Sequence, residues 1–158
     1  MMDDLRELYQ EVILDHGKNP RNFRHPDDAN REAKGENPMC GDRFMVYLKL
    51  KDGVIEDVAF QGRGCAISTA SASMMTEVVQ GKTAEQAKAL FETFHDLCTK
   101  DDHEHCDHGP VDEEAMEKLM VMSGVRQFPV RVKCATLAWH ALNAAIDGED
   151  KVSSEDRD

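Results

Sequence analysis

The stretch from residue 44 to residue 60 constrains the fold most, because it has the alternating pattern of a one-sided β-hairpin. Apolar side chains occupy alternating positions in two runs, which are Phe44, Val46, Leu48, Leu50 and then Val54, Val58, Phe60, although Glu56 interrupts the second run. Between the runs, the pair Asp52-Gly53 favours the positive φ angles of a tight turn. A hairpin with one apolar face needs a second layer to cover that face.

Segments with helical periodicity lie on both sides of the hairpin and can supply that layer. Apolar residues recur at helical spacing over residues 5–13, and Gly17 is a stop signal for this first helix. Four further helices are predicted from periodicity and capping signals, and they begin after Gly64, Thr83, Asp112 and Pro129. The sequence therefore predicts an α+β fold in which helices cover a small antiparallel sheet, the hairpin plus a possible edge strand.

Three polar segments lack any periodicity. Residues 23–39 are expected to be irregular, residues 95–111 to form a loop, and the charged residues 149–158 to be a disordered acidic tail. A chain of 158 residues with 41% hydrophobic residues fits one domain. We place this domain at residues 1–148.

Charge and cysteine content restrict the function. The formal net charge of −12 repels phosphate backbones and anionic lipids, so nucleic acid and membranes are not expected as partners. The sequence begins without a signal peptide pattern, and no apolar run approaches membrane-spanning length. Five cysteines, an odd number, favour metal or thiol chemistry in the cytoplasm over a disulfide framework.

Three of the cysteines lie where predicted elements begin. Cys40 is in a loop flanked by proline and glycine before the hairpin, Cys65 starts the helix after it, and Cys134 is in the first turns of the last helix. Helix N-termini favour the thiolate form of cysteine, which is the form that binds metals and attacks. Together with Asp42, the three sulfurs make a complete tetrahedral set for zinc.

Each of these residues also has a purely structural interpretation. Cys134 shares an apolar stripe on which a buried, inert thiol is common, Cys65 can be a small residue at a tight corner, and Asp42 can cap a turn. An exposed thiol without a role is a liability, so Cys40 is harder to explain in this way. No CxxC pair is present, and spacing alone leaves both interpretations open.

Four stretches of the chain together resemble the SufU family of iron–sulfur cluster assembly proteins, which are relatives of the IscU and NifU N-terminal scaffold proteins. These stretches are YQEVILDHGKNPRN (9–22), NPMCGD (37–42), GRGCAISTASASMM (62–75) and VRVKCATLAW (130–139). The resemblance runs in the right order from residue 5 to residue 147. It implies a small antiparallel sheet covered by helices, with Cys40, Asp42, Cys65 and Cys134 as the metal ligands.

The resemblance also implies a function. A SufU-like protein binds zinc, accepts persulfide sulfur from a cysteine desulfurase of the SufS type, and passes it to a cluster-building complex of the SufBCD type. We expect Cys40 to be the sulfur acceptor, because its loop is freer to move than the helix-anchored cysteines. Such a protein is a sulfurtransferase-like carrier rather than a conventional enzyme.

Two alternatives use the same four ligands. The site can hold a transient iron–sulfur cluster for delivery, or the chain can be a zinc-stabilised module that regulates the desulfurase without accepting sulfur. A Cys–His hydrolase is disfavoured, because no histidine in a matched stretch lies near Cys40 to serve as its base.

Some positions depart from the IscU pattern. Lys133 stands where IscU-type scaffolds have a histidine, and QFPVR (127–131) replaces their chaperone-recognition segment LPPVK. Lys133 favours the SufU type, and so does the segment 95–111, where SufU-type chains carry an insertion loop relative to IscU. The changed segment 127–131 argues against dependence on the dedicated chaperone. The cations Arg126, Arg131 and Lys133 either steer an anionic persulfide or partner, or are simply solvated at a helix start.

The insertion carries a second set of possible zinc donors, namely Cys98, His103, His105, Cys106 and His108. Their spacing fits no standard zinc finger, and polarity alone keeps such a loop soluble. We therefore interpret the segment as a solvated loop and predict one tightly bound zinc per chain.

Overall fold

A β-sheet with helices packed on one face forms the framework of the protein. The computed structural model describes residues 2–37, 41–99, 113–122, 129–148 and 151–153. The elements are, in order, α1 (Met2–Lys18), β1 (Arg31–Asn37), β2 (Asp42–Lys51), β3 (Val54–Arg63), α2 (Ala66–Val79), α3 (Ala84–Thr99), α4 (Glu113–Leu119), α5 (Pro129–Ile146) and β4 (Lys151–Ser153). The predicted α+β fold is confirmed.

The predicted hairpin, β2 and β3, forms one half of the sheet, with β3 at the edge. The strand order is β3-β2-β1-β4, and β2 pairs antiparallel with both β1 and β3. Asp52 and Gly53 have φ angles of 54° and 80°, as the turn prediction requires. The inward side chains of the hairpin, such as Phe44 and Phe60, are buried against α2 and α5.

Strand β1 was not predicted, because residues 23–39 were expected to be irregular. Its inward residues are small or polar, and at Gly35 the sheet lies directly against α5. A Cβ atom added there would be 3.2 Å from the Ala141 Cβ atom and 3.3 Å from the Leu137 carbonyl oxygen. A strand built for such close contact lacks the large alternating side chains that identify strands in a sequence.

The polar segments also differ from the predictions. Residues 95–99, expected to open the insertion loop, complete the last turn of α3, whereas 100–112 lie outside the described residues. Residues Lys151–Ser153, expected to be disordered, form β4 and pair in parallel with Lys34–Glu36 of β1. The rest of the acidic tail, residues 149–150 and 154–158, is outside the described part.

Helices α2, α3 and α5 supply most of the core. The largest fully buried side chains include Trp139, Phe44, Phe60, Phe94, Met74 and Leu137. Trp139 stacks on Phe91 and Phe94 of α3, which fixes α3 against α5. Within the described segments, no helix combines the length and apolar character needed to cross a membrane.

A buried histidine fastens the end of α1 to α2. His16 Nδ1 lies 2.7 Å from Ser73 Oγ, and the backbone N–H of Arg21 donates to the same oxygen at 2.8 Å. Burial lowers the pKa of His16, so this imidazole is neutral at pH 7.

Candidate metal centre

Asp42 begins β2 and points into the layer between the sheet and the helices. Its side chain is buried, with 2% of its surface exposed. Oδ1 accepts the backbone N–H of Cys65 at 3.1 Å, and Oδ2 accepts the Ser68 hydroxyl at 2.6 Å. A Cβ atom at Gly64 would lie 2.9 Å from Oδ1, so a larger residue there would displace the carboxylate.

Cys65 is the N-cap residue of α2. Its extended backbone, with φ −68° and ψ 170°, turns the chain from β3 into the helix. The Sγ atom accepts the Ser68 N–H at 3.4 Å. The sulfur therefore lies at the positive end of the helix dipole, where a thiolate is stabilised.

Cys134 brings the second sulfur from α5, and its side chain is completely buried. The Cys134 thiol donates a hydrogen bond to Cys65, which, with help from Ser68, lowers the pKa of Cys65 to about 5 although burial opposes the shift. The same bond, together with burial, raises the pKa of Cys134. At neutral pH the pair consequently holds one proton, on Cys134, and one negative charge, on Cys65.

Arg131 reaches this pair from the first turn of α5. Its exposed guanidinium lies beside both sulfurs, and the negative charge of Cys65 raises the pKa of Arg131 further above its usual value. Of the three cations noted in the sequence, Arg131 is thus placed at the sulfurs. Arg126 lies outside the described residues, and Lys133 is half-buried.

The donor set fits a zinc ion. One oxygen of Asp42 and the sulfurs of Cys65 and Cys134 all lie within 4.8 Å of one another. Donor atoms of a tetrahedral zinc site are about 3.5–4 Å apart, so only a small contraction is needed. Cys40, the fourth predicted ligand, lies outside the described residues; the N–H of Gly41 after it donates to the Asn37 carbonyl at 2.8 Å.

Sequence reasoning missed the role of Ser68. This buried side chain, 1% exposed, binds Asp42 through its hydroxyl, and its Oγ lies 3.4 Å from the Cys65 sulfur. Its position three residues after an N-cap is where a side chain can turn back to the start of a helix. The sequence signal for this role was a polar residue on the side of α2 that faces the core.

The structure describes only one member, Cys98, of the second set of possible zinc donors. Cys98 is buried in α3, while His103, His105, Cys106 and His108 are outside the described residues. Apart from Asp42, Cys65 and Cys134, no cluster of three metal-binding side chains occurs in the described ranges. The prediction of one zinc per chain stays a prediction.

Comparison with known proteins adds an independent observation. The family model of the NifU-like N-terminal domain matches residues 8–118, which include Asp42, Cys65 and Ser68. The chain belongs to the NifU-like N-terminal domain family. The resemblance inferred from the four sequence stretches is confirmed.

Relatives within this family align over nearly the whole chain. A protein of Bacillus subtilis (strain 168) named zinc-dependent sulfurtransferase SufU is 40% identical over 93% of this chain and 95% of its own length. A protein of Streptococcus pyogenes serotype M1 named iron–sulfur cluster assembly scaffold protein IscU is 40% identical over 92% of this chain and 86% of its own.

A solved structure agrees with the fold. It is that of a candidate iron–sulfur cluster assembly scaffold protein for the SUF system from Fervidobacterium islandicum AW-1, with a TM-score of 0.74 and 30% identity. The match covers 86% of this chain and 94% of that one. This member of the NifU-like family therefore shares the fold of that protein.

Proposed function

We propose that this protein is an iron–sulfur cluster assembly protein that carries sulfur from a cysteine desulfurase of the SufS type to a cluster-building complex of the SufBCD type. The observation that carries the proposal is the convergence of Asp42, Cys65 and Cys134 at one end of the sheet. A 40% identical relative bears the name zinc-dependent sulfurtransferase, which supports the carrier role. The reduced thiols of Cys65 and Cys134 fit the reducing cytoplasm in which we place this activity.

Four residues would hold zinc in this proposal, namely Cys40, Asp42, Cys65 and Cys134. Bound zinc would keep these thiols deprotonated at neutral pH. The protein itself positions the donor atoms. Two hydrogen bonds fix the Asp42 carboxylate, and the start of α2 holds Cys65 in its thiolate form.

Sulfur transfer needs one mobile nucleophile, and we assign this role to Cys40. Its thiolate attacks the outer sulfur of a persulfide on the donor's cysteine. A new S–S bond forms on Cys40, the S–S bond of the donor breaks, and the donor cysteine leaves as a thiolate. The guanidinium of Arg131, exposed at the sulfurs, can stabilise the negative charge on the incoming persulfide.

A single turnover with ³⁵S-labelled cysteine and purified desulfurase tests the assignment. Wild-type protein should gain covalent label, the Cys40→Ser variant should gain none, and Cys98→Ser should match the wild type because Cys98 is buried in α3. Label on Cys40→Ser would remove Cys40 as acceptor. Faster desulfurase turnover without any label on the wild type would instead support a regulatory module.

The scaffold function is the second candidate. Two sulfurs and one carboxylate in a cluster can also hold an iron–sulfur cluster as cargo, and the Streptococcus pyogenes relative is named a scaffold. An oxygen donor makes a weaker ligand than a fourth sulfur, which suits transient binding. Oxygen-free purification followed by metal analysis and an ultraviolet–visible spectrum separates the two, since a cluster gives visible absorption and zinc gives none.

A further inference from the structure

Two arginines face each other on the sheet beside the metal centre. In the pairing of β2 with β3, Arg43 lies directly opposite Arg63. Residues directly opposite on neighbouring antiparallel strands project from the same face, with their Cβ atoms about 4.5–5.5 Å apart. Both side chains are exposed. Two positive charges are therefore held side by side on an open surface.

This arrangement does not serve the stability of the fold. Like charges directly opposite each other on two strands are destabilising. Within the described residues, neither arginine has an ion pair or a side-chain hydrogen bond. The acidic neighbour Glu36, opposite Arg43 on β1, forms its ion pair with Lys34, at 2.8 Å.

The position of the pair links it to the metal centre. Arg43 directly follows Asp42 in β2, and Arg63 ends β3 two residues before Cys65. Strand alternation puts the arginines on the open face of the sheet, while Asp42 points toward the helices. On the helix side, Arg131 adds a third exposed guanidinium beside the sulfurs. Three exposed guanidinium groups thus lie around the metal centre of a chain whose net charge is −12.

We propose that Arg43 and Arg63 form a docking subsite for a carboxylate-rich segment of the cysteine desulfurase, next to the point at which its persulfide reaches the metal centre. The inference rests on the sulfur-carrier function proposed above. Guanidinium groups bind carboxylates through paired hydrogen bonds, and an acidic segment would relieve the repulsion between the arginines. A long polyanion such as nucleic acid would be repelled by the acidic remainder of the chain.

Reversing one charge separates a docking role from a structural one. Arg63→Glu turns the repulsive pair into an attractive Arg–Glu pair, so it should raise the Tm by about 1–4 °C. The same change should weaken binding of the zinc-loaded protein to the desulfurase by about tenfold at 50 mM NaCl, with much less difference at 300 mM NaCl. A more stable protein that binds more weakly is a result that a structural role does not produce.

Lys51→Glu is the matched control. Lys51 is exposed at the other end of β2, and the substitution changes the net charge by the same amount. Titration calorimetry with the desulfurase should give this variant an affinity within about twofold of the wild type. Equal weakening by Lys51→Glu and Arg63→Glu would overturn the proposal, because net charge alone would then explain the effect.

The remaining outcomes are also decisive. The amount of ³⁵S transferred at limiting desulfurase should fall in Arg63→Glu and stay at the wild-type level in Lys51→Glu. If the wild type carries no label but its binding still depends on Arg63, the carrier function fails and the docking subsite stands. The docking proposal is overturned if the wild type does not bind the desulfurase. It is also overturned if sedimentation shows that the wild type self-associates and that Arg63→Glu does not.

Discussion

The two ends of the sheet are closed by different kinds of interaction. At the turn end, the backbone closes the hairpin onto the segment before α3, with Ala84 N–H donating to Gly53 at 2.8 Å and Ile55 N–H donating to Lys82 at 2.8 Å. At the site end, side chains do this work. The Asp42 carboxylate accepts hydrogen bonds from Cys65 and Ser68 at the start of α2, and the sulfurs of Cys65 and Cys134 lie beside it.

This difference indicates that the turn end stabilises the fold, whereas the site end is suited to binding a cation. Backbone hydrogen bonds close the turn end, and the capping box of α3 and the Asn30 side chain on the Leu50 backbone supplement them. Asp52 and Gly53 adopt the positive φ angles that the turn requires. The site end instead brings together the Asp42 carboxylate and the Cys65 thiolate, whose negative charges cost free energy unless a cation is bound. Stability and metal affinity should therefore be coupled at the site end and independent at the turn end.

Loss of a sulfur should give the largest contrast. Cys134→Ala and Cys98→Ala each remove a buried sulfur from a helix, so their packing losses are comparable. We expect Cys134→Ala to lower zinc affinity more than about 100-fold, because even residues that only support a ligand contribute about 10–100-fold. Cys98→Ala should keep wild-type affinity in a chelator competition. Equal zinc binding by the two variants would contradict a ligand role for Cys134.

The next effect in size should come from Ser68. Ser68→Ala removes the hydrogen bond to Asp42 and should weaken zinc about 10–100-fold. Ser71→Ala is the control, because its buried hydroxyl donates to the Ala135 carbonyl instead of to a proposed ligand. Both variants should lose stability, but only Ser68→Ala should lose zinc affinity. If both bind zinc alike, Ser68 supports the fold and not the site.

The pH dependence of the metal-free protein sharpens the contrast. Cys65 has its pKa lowered from 9.0 to about 5, so its thiolate persists as the pH falls to that value. Alkylation of Cys65, followed by peptide mass spectrometry after chelation, should have a midpoint near pH 5. Cys134→Ala removes the donated hydrogen bond and should move the midpoint upward. A midpoint near 9 in the wild type would show that the two sulfurs do not interact.

The same shift has a consequence for stability. Between pH 5 and the ordinary thiol value of 9.0, the unfolded chain holds a proton that folded Cys65 has released. Stability of the metal-free protein should therefore rise with pH in this window and be lost as the pH falls through 5. Above the window the sign reverses, because Cys134 keeps its proton only in the folded state.

The turn end should show the smallest effect. Thr83 and Gln86 exchange side-chain to backbone hydrogen bonds at 3.0 and 3.1 Å, which is the predicted capping box. Thr83→Ala should cost about 1 kcal/mol of unfolding free energy in a urea titration with excess zinc. Zinc affinity should not change. A change in zinc affinity would show that the two ends communicate.

The sequence predicted the parts of the fold that carry strong local signals. The hairpin, the capping box of α3 and the apolar stripe of α5 are encoded by neighbouring residues, and the structure contains all of them. Three of the four predicted site residues, Asp42, Cys65 and Cys134, also lie together. Their spacing alone did not require this, and the resemblance to a family made the difference.

The parts that were missed depend on contacts between distant segments. β1 is a strand because Gly35 fits against α5, and β4 is a strand because the edge of β1 is available to it. Ser68 and Arg63 looked ordinary in the sequence. Their importance comes from register and orientation, which place Ser68 on Asp42 and Arg63 opposite Arg43.

The contact at Gly35 also determines how far apart the metal donors can be. Leu137, which touches Gly35, is one helical turn from Cys134, and Asp42 enters the sheet on the strand paired with β1. A single methyl group at residue 35 would act as a spacer and lift α5, and with it one sulfur, away from the carboxylate. The absence of a side chain at Gly35 thus sets the spacing of the donor atoms, although β1 itself supplies none of the proposed ligands.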